Sequence, residues 1–256
     1  MNPWSDGPVK GLLNGFDLSS VQWSPGRPLL DFGKAYDAGF RFAYIKASQY
    51  SSGRDTAFHE LASQLRDAGF AIGAYHFCSH DSDPEQQMEH FYAASKGLGS
   101  NPGELPPMLD WEYCTPSKYQ NHPQHCVDWL GRALEKADDL WYPNQSPRVP
   151  CVYTYPYYAK QHQPGLALQS TFGTGVPLCL ASYTPGTVLA NAEQIPSHQV
   201  PKPWLRATLC QHNGNDGRVP GIPGACDMQV ALMSQGEWDE FLGIKKPPAL
   251  ETFDVK

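Results

Sequence analysis

Asp110 and Glu112 stand two residues apart in the apolar segment Met108-Leu109-Asp110-Trp111-Glu112. If that segment is a strand, both carboxyl groups emerge on one face, because successive side chains alternate. Their Cα atoms then lie about 6–7 Å apart. Two acids so placed suit glycoside hydrolysis: one is protonated to donate to the leaving oxygen, and the other stays charged beside an oxocarbenium-like centre. Negative charge nearby raises the pKa of one member and keeps it protonated at working pH. Glu112, on the longer side chain and nearer the strand end, is the candidate proton donor, with Asp110 as its charged partner. Asp17 and Asp227 lie in two further strand candidates and can join the cluster. The pair alone leaves other readings open. An Asp-x-Glu also occurs as an ordinary solvated strand edge, and the same oxygens can hold magnesium or calcium.

The elements that must position these acids are legible as apolar runs. Eight read as strands: Leu12 to Leu18, Phe42 to Ala47, Ala71 to Phe77, Met108 to Glu112, Val149 to Tyr155, Pro177 to Tyr183, Thr208 to His212 and Ala225 to Leu232. Five stretches read as helices. Asp31 to Gly39 ends at a glycine, and Asp55 to Gly69 carries Phe58, Leu61, Ala62 and Leu65 at helical spacing. The third runs from Asp83 to about Lys96, with Asp as N-cap and Pro at the first helical position. Pro123 to Leu140 is the longest, and Pro156 to Gln163 is short. Alternation of this kind implies an α/β protein with a parallel sheet, and eight strands imply closure into a single TIM-like (β/α) barrel with about five helices. In such a barrel the C-terminal strand ends face the active site.

The bulk properties agree with one large domain. The chain has 256 residues, 41% of them hydrophobic, which suffices for a full barrel core. Residues 1–10 read as an N-terminal extension, 11–244 as the barrel, and 245–256, with a double proline and no periodicity, as a linker-like tail. The net charge of −7 and the lack of any basic run argue against a nucleic-acid partner. No apolar run is long enough to span a bilayer, so no membrane partner is expected. Met1 to Leu13 lacks the charged start and apolar core of a signal peptide, which implies synthesis in a cytoplasm and export, if any, by another route. Of seven cysteines, Cys78, Cys151, Cys179 and Cys210 sit in apolar runs and read as reduced, buried residues. No Cys/His spacing reads as a zinc site, so neither metal nor cofactor is expected.

Seven motifs taken in order carry a family resemblance. Gly15-Phe16-Asp17-Leu18-Ser19-Ser20-Val21-Gln22 resembles the opening strand of the family 25 glycoside hydrolases, the Chalaropsis-type lysozymes. Ala38 to Ala47 (AGFRFAYIKA) is similar to that family's second strand, Gly73-Ala74-Tyr75-His76-Phe77 to its third and Met108 to Glu112 to its acidic fourth. Val152-Tyr153-Thr154, Ala181-Ser182-Tyr183 and Val219 to Asp227 (VPGIPGACD) continue in register, so the likeness spans about residues 11 to 243. It implies a muramidase that hydrolyses the β-1,4 bond between N-acetylmuramic acid and N-acetylglucosamine of bacterial peptidoglycan, as a monomer. Glu112 falls on the family's general acid, Asp110 on its charged partner, and Asp17 and Asp227 on the other two pocket acids. Tyr75, Tyr153 and Tyr183 fall on positions that line the sugar groove. Absence of a signal peptide and of wall-binding repeats implies a phage or virion lysin.

The chain also departs from the family pattern. Ala47-Ser48-Gln49 replaces a Thr-Glu-Gly ending, Cys179 stands where Trp is common, His212 where Tyr is usual, and Gln229 where Asn is typical. These changes are expected to alter the groove walls while sparing the four acids. They also leave room for a non-catalytic glycan-binding or virion structural protein that keeps the barrel. Against that reading, a purely structural site has no reason to gather repelling carboxylates. A chitinase-like hydrolase shares the Asp-x-Glu strand end but needs further acids upstream, where this chain has Leu105 and Met108. Trp23, just after the first strand, is a candidate sugar-stacking residue, ahead of Trp4 and Trp141. His76 reads as a hydrogen-bonded core histidine, and His122, His125 and Cys126 as solvated residues at a helix start.

Overall fold

A computed structural model describes residues 8–23, 30–113, 118–119, 121–143, 148–164, 175–183, 199–214 and 217–244. Its strands are β1 (Leu13–Leu18), β2 (Phe40–Gln49), β3 (Gly53–Arg54), β4 (Ala71–Phe77), β5 (Met108–Asp110), β6 (Cys151–Thr154), β7 (Leu178–Ala181), β8 (Leu209–Asn213) and β9 (Asp227–Ala231). The sheet runs β1-β9-β8-β7-β6-β5-β4-β2 and closes through a β1–β2 pairing, with β3 an antiparallel appendage on β2. All eight expected strands are therefore present and form a closed barrel. The barrel is mixed, however, and not purely parallel: β9 runs antiparallel to both β1 and β8. No helix among the described residues is long and apolar enough to cross a membrane.

Six helices are described: α1 (Phe32–Asp37), α2 (Phe58–Asp67), α3 (Pro84–Ser95), α4 (Pro123–Trp141), α5 (Pro156–His162) and α6 (Gln235–Phe241). The first five match the expected ones, and local chemistry explains their ends. Asp83 caps α3 by accepting from the Gln86 N–H at 3.0 Å, and Pro84 opens it. Asp55, expected to start α2, instead spends its carboxylate on the backbone of Ser20 and Ala57, so the helix begins at Phe58. The sixth helix was not foreseen from the sequence. It is short, and its signal is a Ser234/Glu237 capping box that the apolar run of β9 overshadows.

Strand alternation sorts the core into two layers. Outward residues such as Phe16, Leu18, Ile45, Leu109, Val152 and Met228 pack under the helices. Inward residues Phe42, Tyr44, Met108, Cys151, Cys179 and Leu209 fill the barrel, and α6 closes its lower end with Trp238 and Phe241. The rings of Phe42 and Trp238 lie 5.3 Å apart. Trp111 turns outward as expected: it is fully buried, donates to the Cys126 carbonyl at 3.3 Å and packs edge-on against Tyr158. Its burial anchors the chain between the two acids.

Several single-residue expectations are settled here. His76 is a core histidine, bonded to Ser48 Oγ and Gln87 Oε1 and pushed down to about 4 by burial. Trp141 is buried under α3, with its N–H on the Leu98 carbonyl, so it cannot stack on a sugar. Cys126 is buried and not solvated, while His125 stacks on Tyr119. The six described cysteines are all buried and free of disulfides. Trp4, Cys114 and the tail 245–256 lie outside the described residues.

The lumen leaves no room for a side chain at Gly15 of β1 or at Gly73 of β4. A Cβ on Gly15 of β1 would meet the Phe42 ring at 2.3 Å. Gly15→Ala is expected to lose about 1–3 kcal/mol of stability through overpacking. Equilibrium denaturation measures it, and an unchanged midpoint would show that the Phe42 ring can move aside.

Candidate active site

The four acids of the sequence analysis meet at one end of the barrel. β1 delivers Asp17 on its inward face, and β9 delivers Asp227 directly across from it as its register partner. Asp227 is the first residue of β9. In a parallel strand it would lie at the opposite end of the barrel, so the reversal of β9 is what brings it to the mouth. β5 ends at Asp110, two residues short of the expected boundary, but Trp111 N still bonds the Tyr153 carbonyl at 2.9 Å. Glu112 thus keeps the inward direction that the two-residue spacing predicts.

Asp17, Asp110, Glu112 and Asp227 line a cleft of about 230 Å³ together with Lys46, Tyr75, Phe77, Met108, Tyr153 and Gln211. A second cavity, of about 280 Å³, lies at the other end beside α6 and includes Arg148, Arg206, Glu237 and Glu240. Glu237 there is pulled down to about 2 by hydrogen bonds from Ser234 and by Arg206, as an ordinary ion-paired carboxylate is. Of these two cavities the acidic cleft is the one with carboxyl groups pushed toward neutrality, so it is the site with chemistry to offer.

Burial dominates the electrostatics of that cleft. It pushes Asp17 up to about 7, with the charge of Asp227 adding to the effect, while amide donors from Gln211 and Gln229 work against it. Burial and then the charge of Asp227 bring Glu112 up to about 7, against the pull of Lys46. Asp110 is raised well above the usual carboxylate range by burial and by Glu112, and Lys46 opposes this too. Its Oδ1 is buried and meets no hydrogen-bond donor. Lys46 is itself lowered by burial, countered by the charges of Asp110, Asp55 and Glu112, and its ammonium lies 5.1 Å from the centre of the Phe77 ring.

A hydrogen-bonded chain ties the acids to two tyrosines. Tyr153 Oη donates to Gln211 Oε1 at 2.8 Å, and Tyr183 Oη donates to the same oxygen. Gln211 Nε2 donates to Asp17 Oδ2 at 2.8 Å and to Asp227 Oδ2 at 3.3 Å. Gln229 Nε2 adds a donor to Asp17 Oδ2 at 2.7 Å. Tyr75 and Tyr153 line the cleft, and Tyr183 stands at its rim, 51% exposed. Trp23 is half-buried against the outer core and does not line the cleft. Nor does His212, whose ring nitrogens are buried without a hydrogen-bond partner; of the expected wall changes, Cys179 and Gln229 face each other deep in the lumen. Lys46, Phe77 and Gln211 were missed as site residues. Phe77 shares a strand face with Tyr75, which could have flagged it, whereas no predicted site residue on β2 or β8 pointed to Lys46 or Gln211. Among the described residues no group of His, Cys, Asp or Glu side chains is arranged to hold a metal ion.

The family model for glycosyl hydrolases family 25 matches residues 17–215. The chain belongs to that family. It is 31% identical over 181 residues to the N,O-diacetylmuramidase of Arthroderma benhamiae, covering 69% of this chain and 72% of the relative. It is similar to the muramidase of Trichobolus zukalii at 25% identity and a TM-score of 0.70, over 90% of this chain and 98% of that one. The lysozyme of Streptomyces coelicolor shares the fold with a TM-score of 0.73 at 20% identity, over 92% of this chain and 97% of the other. The family 25 chain is therefore a glycoside hydrolase, and the four-acid cleft sits where its barrel opens.

Gathering these acids has a consequence for stability. Asp17 and Glu112 bind a proton more tightly in the folded protein than in the unfolded chain, where ordinary carboxyl groups titrate near 4. Their contribution is fully present below about pH 4 and is lost as pH rises through about 7. The Asp17→Asn/Glu112→Gln double variant is therefore expected to melt higher than the wild type at pH 8, with the difference shrinking toward pH 4. Thermal denaturation across that range checks it, and a difference independent of pH would refute it.

Proposed function

We propose that this glycoside hydrolase is a muramidase that cuts the β-1,4 bond between N-acetylmuramic acid and N-acetylglucosamine in bacterial peptidoglycan. The observation that carries the reading is the pair on and just after β5. Glu112 is held protonated up to about pH 7 beside the buried carboxyl of Asp110, in the acidic cleft of a family 25 barrel. Glu112 then acts as general acid, giving its proton to the leaving glycosidic oxygen. Asp110 and Glu112 repel one another, so the pair holds one proton between them. With that proton on Glu112, the charge that most strongly raises Asp110 after burial is gone, and Lys46 favours its ionised form. Asp110 is then the anion beside the developing positive charge. Its unmet Oδ1 is an acceptor that a substrate donor can satisfy.

In this reading the charge of Asp227 helps to keep Glu112 protonated, and Asp17 lines the cleft opposite it. Tyr75 and Tyr153 form walls for the sugar rings, and Tyr183 extends them at the rim. The protein works as a monomer on the wall, outside the cytoplasm that makes it, in the manner of a phage or virion lysin.

Mass analysis of fragments released from purified peptidoglycan tests the assignment. The wild type is expected to release fragments with reducing N-acetylmuramic acid ends, and Glu112→Gln to lower the rate by about 10²–10⁴-fold, the usual worth of a general acid. Reducing N-acetylglucosamine ends would mean a glucosaminidase on the same barrel. Wall binding without cleavage, equal in both proteins, would mean a binding module.

A further inference from the structure

Gln211 makes four hydrogen bonds from a side chain that is almost wholly buried. Its two ends are chemically distinct, since Oε1 can only accept and Nε2 can only donate. The hydroxyls of Tyr153 and Tyr183 converge on Oε1, which leaves the two N–H bonds directed at Asp17 and Asp227. Rotating the amide by half a turn would set Oε1 against two carboxylate oxygens. That arrangement is acceptable only if one of the acids carries a proton. The tyrosines therefore favour the orientation that suits two charged acids.

We propose that Gln211 is a positioning residue of the active site, whose amide, locked in one orientation by Tyr153 and Tyr183, holds Asp17 and Asp227 together as hydrogen-bond acceptors and favours their charged forms. The inference rests on the reading of the cleft as the hydrolytic centre, and it adds a residue that touches neither the scissile bond nor the proton donor. The bridge ties two carboxylates in direct strand register on β1 and β9 to one amide, and Gln229 adds a second donor to Asp17. Gln229 reaches Asp17 alone, so it cannot replace the bridge to Asp227. Around the pair, Asp110 of β5 and Glu112 just after it are further acids, and Tyr75 of β4 and Tyr183 just after β7 are neutral phenols. Lys46 on β2 acts on Asp110 and Glu112 instead. Beneath Asp17, the Cys226 thiol is held on the backbone carbonyl of Asp17 and offers nothing to the carboxylate.

The test is a carbon-13 NMR titration of the side-chain carboxyl groups in the free protein, comparing the wild type with Gln211→Leu. Asp17→Asn and Glu112→Gln spectra assign the signals. The titration midpoint of Asp17 is expected to rise by at least one pH unit in Gln211→Leu, with Glu112 moving by less. On peptidoglycan, the acid limb of the kcat profile should move up in parallel, so that activity falls about tenfold below that limb while KM and the alkaline limb change little. A purely structural role would lower the rate equally at every pH. If Gln211→Leu does not fold, the Tyr153→Phe/Tyr183→Phe variant keeps the amide but frees its orientation, and a smaller upward shift of Asp17 is expected. An unchanged Asp17 midpoint in a folded variant of either kind overturns the proposal. Because the titration needs no substrate, it decides the role of Gln211 even if the wild type releases no muropeptides.

Discussion

Like charges confined in a poorly solvated space are the constraint around which this barrel is organised. Asp17, Asp110, Glu112 and Asp227 share one cleft with Lys46, Gln211 and the apolar or aromatic side chains of Tyr75, Phe77, Met108 and Tyr153. Asp17, Asp110 and Glu112 are each disfavoured as anions by lost hydration, and the charge of Asp227 adds to all three. Such an arrangement persists only where the backbone gives the side chains nowhere else to go. Three strands of a closed ring provide that rigidity, because each is hydrogen-bonded on both sides and packed beneath by Phe42, Tyr44 and Leu209. The stability given up at the mouth is offset by the apolar layers below and outside it, as is common at catalytic sites.

The compensating groups are arranged unevenly, and the unevenness gives the acids different characters. Lys46 leans toward Asp110 and Glu112, whereas the amides of Gln211 and Gln229 serve the Asp17–Asp227 side. A cation works through space and favours charge on whichever member of its pair can ionise. Amide donors work through direct contact and fix geometry as well as charge. One half of the cleft is thereby balanced by a cation acting through space, and the other by donors that fix where its carboxyl oxygens sit. Separation of that kind is the usual way one site keeps both an acid and a base at neutral pH.

The reversal of β9 links topology to this chemistry. A parallel eighth strand would need a crossover to carry the chain back to the bottom of the barrel. The segment 214–226 instead includes a Val219–Ile222 turn, with Gly221 in the left-handed region and its carbonyl accepting from Asp31 N at 2.9 Å. The chain therefore re-enters the sheet from the mouth, and the first residue of β9 becomes a site residue. α6 follows directly and closes the lower end of the barrel, so one change of strand direction both completes the acidic cluster and caps the core.

The sequence by itself determined the eight barrel strands, the Asp83 cap of α3 and the common face of Asp110 and Glu112. Each of these is local: alternation of side chains along a strand and the chemistry of a helix end depend on residues a few positions apart. The same locality explains why Trp111 could be placed outward from its spacing alone. Tertiary structure decided the rest. The direction of β9, and with it the place of Asp227, depends on which strands it meets and not on its own apolar pattern. The parts played by Lys46 and Gln211 follow from neighbours far away in sequence, since Gln211 becomes informative only once Tyr153, Tyr183, Asp17 and Asp227 surround it. Protonation of Glu112 near neutral pH depends likewise on burial and on a carboxylate from another strand. Periodicity tells which way a side chain points, but the charge it carries is set by what the closed barrel brings to meet it.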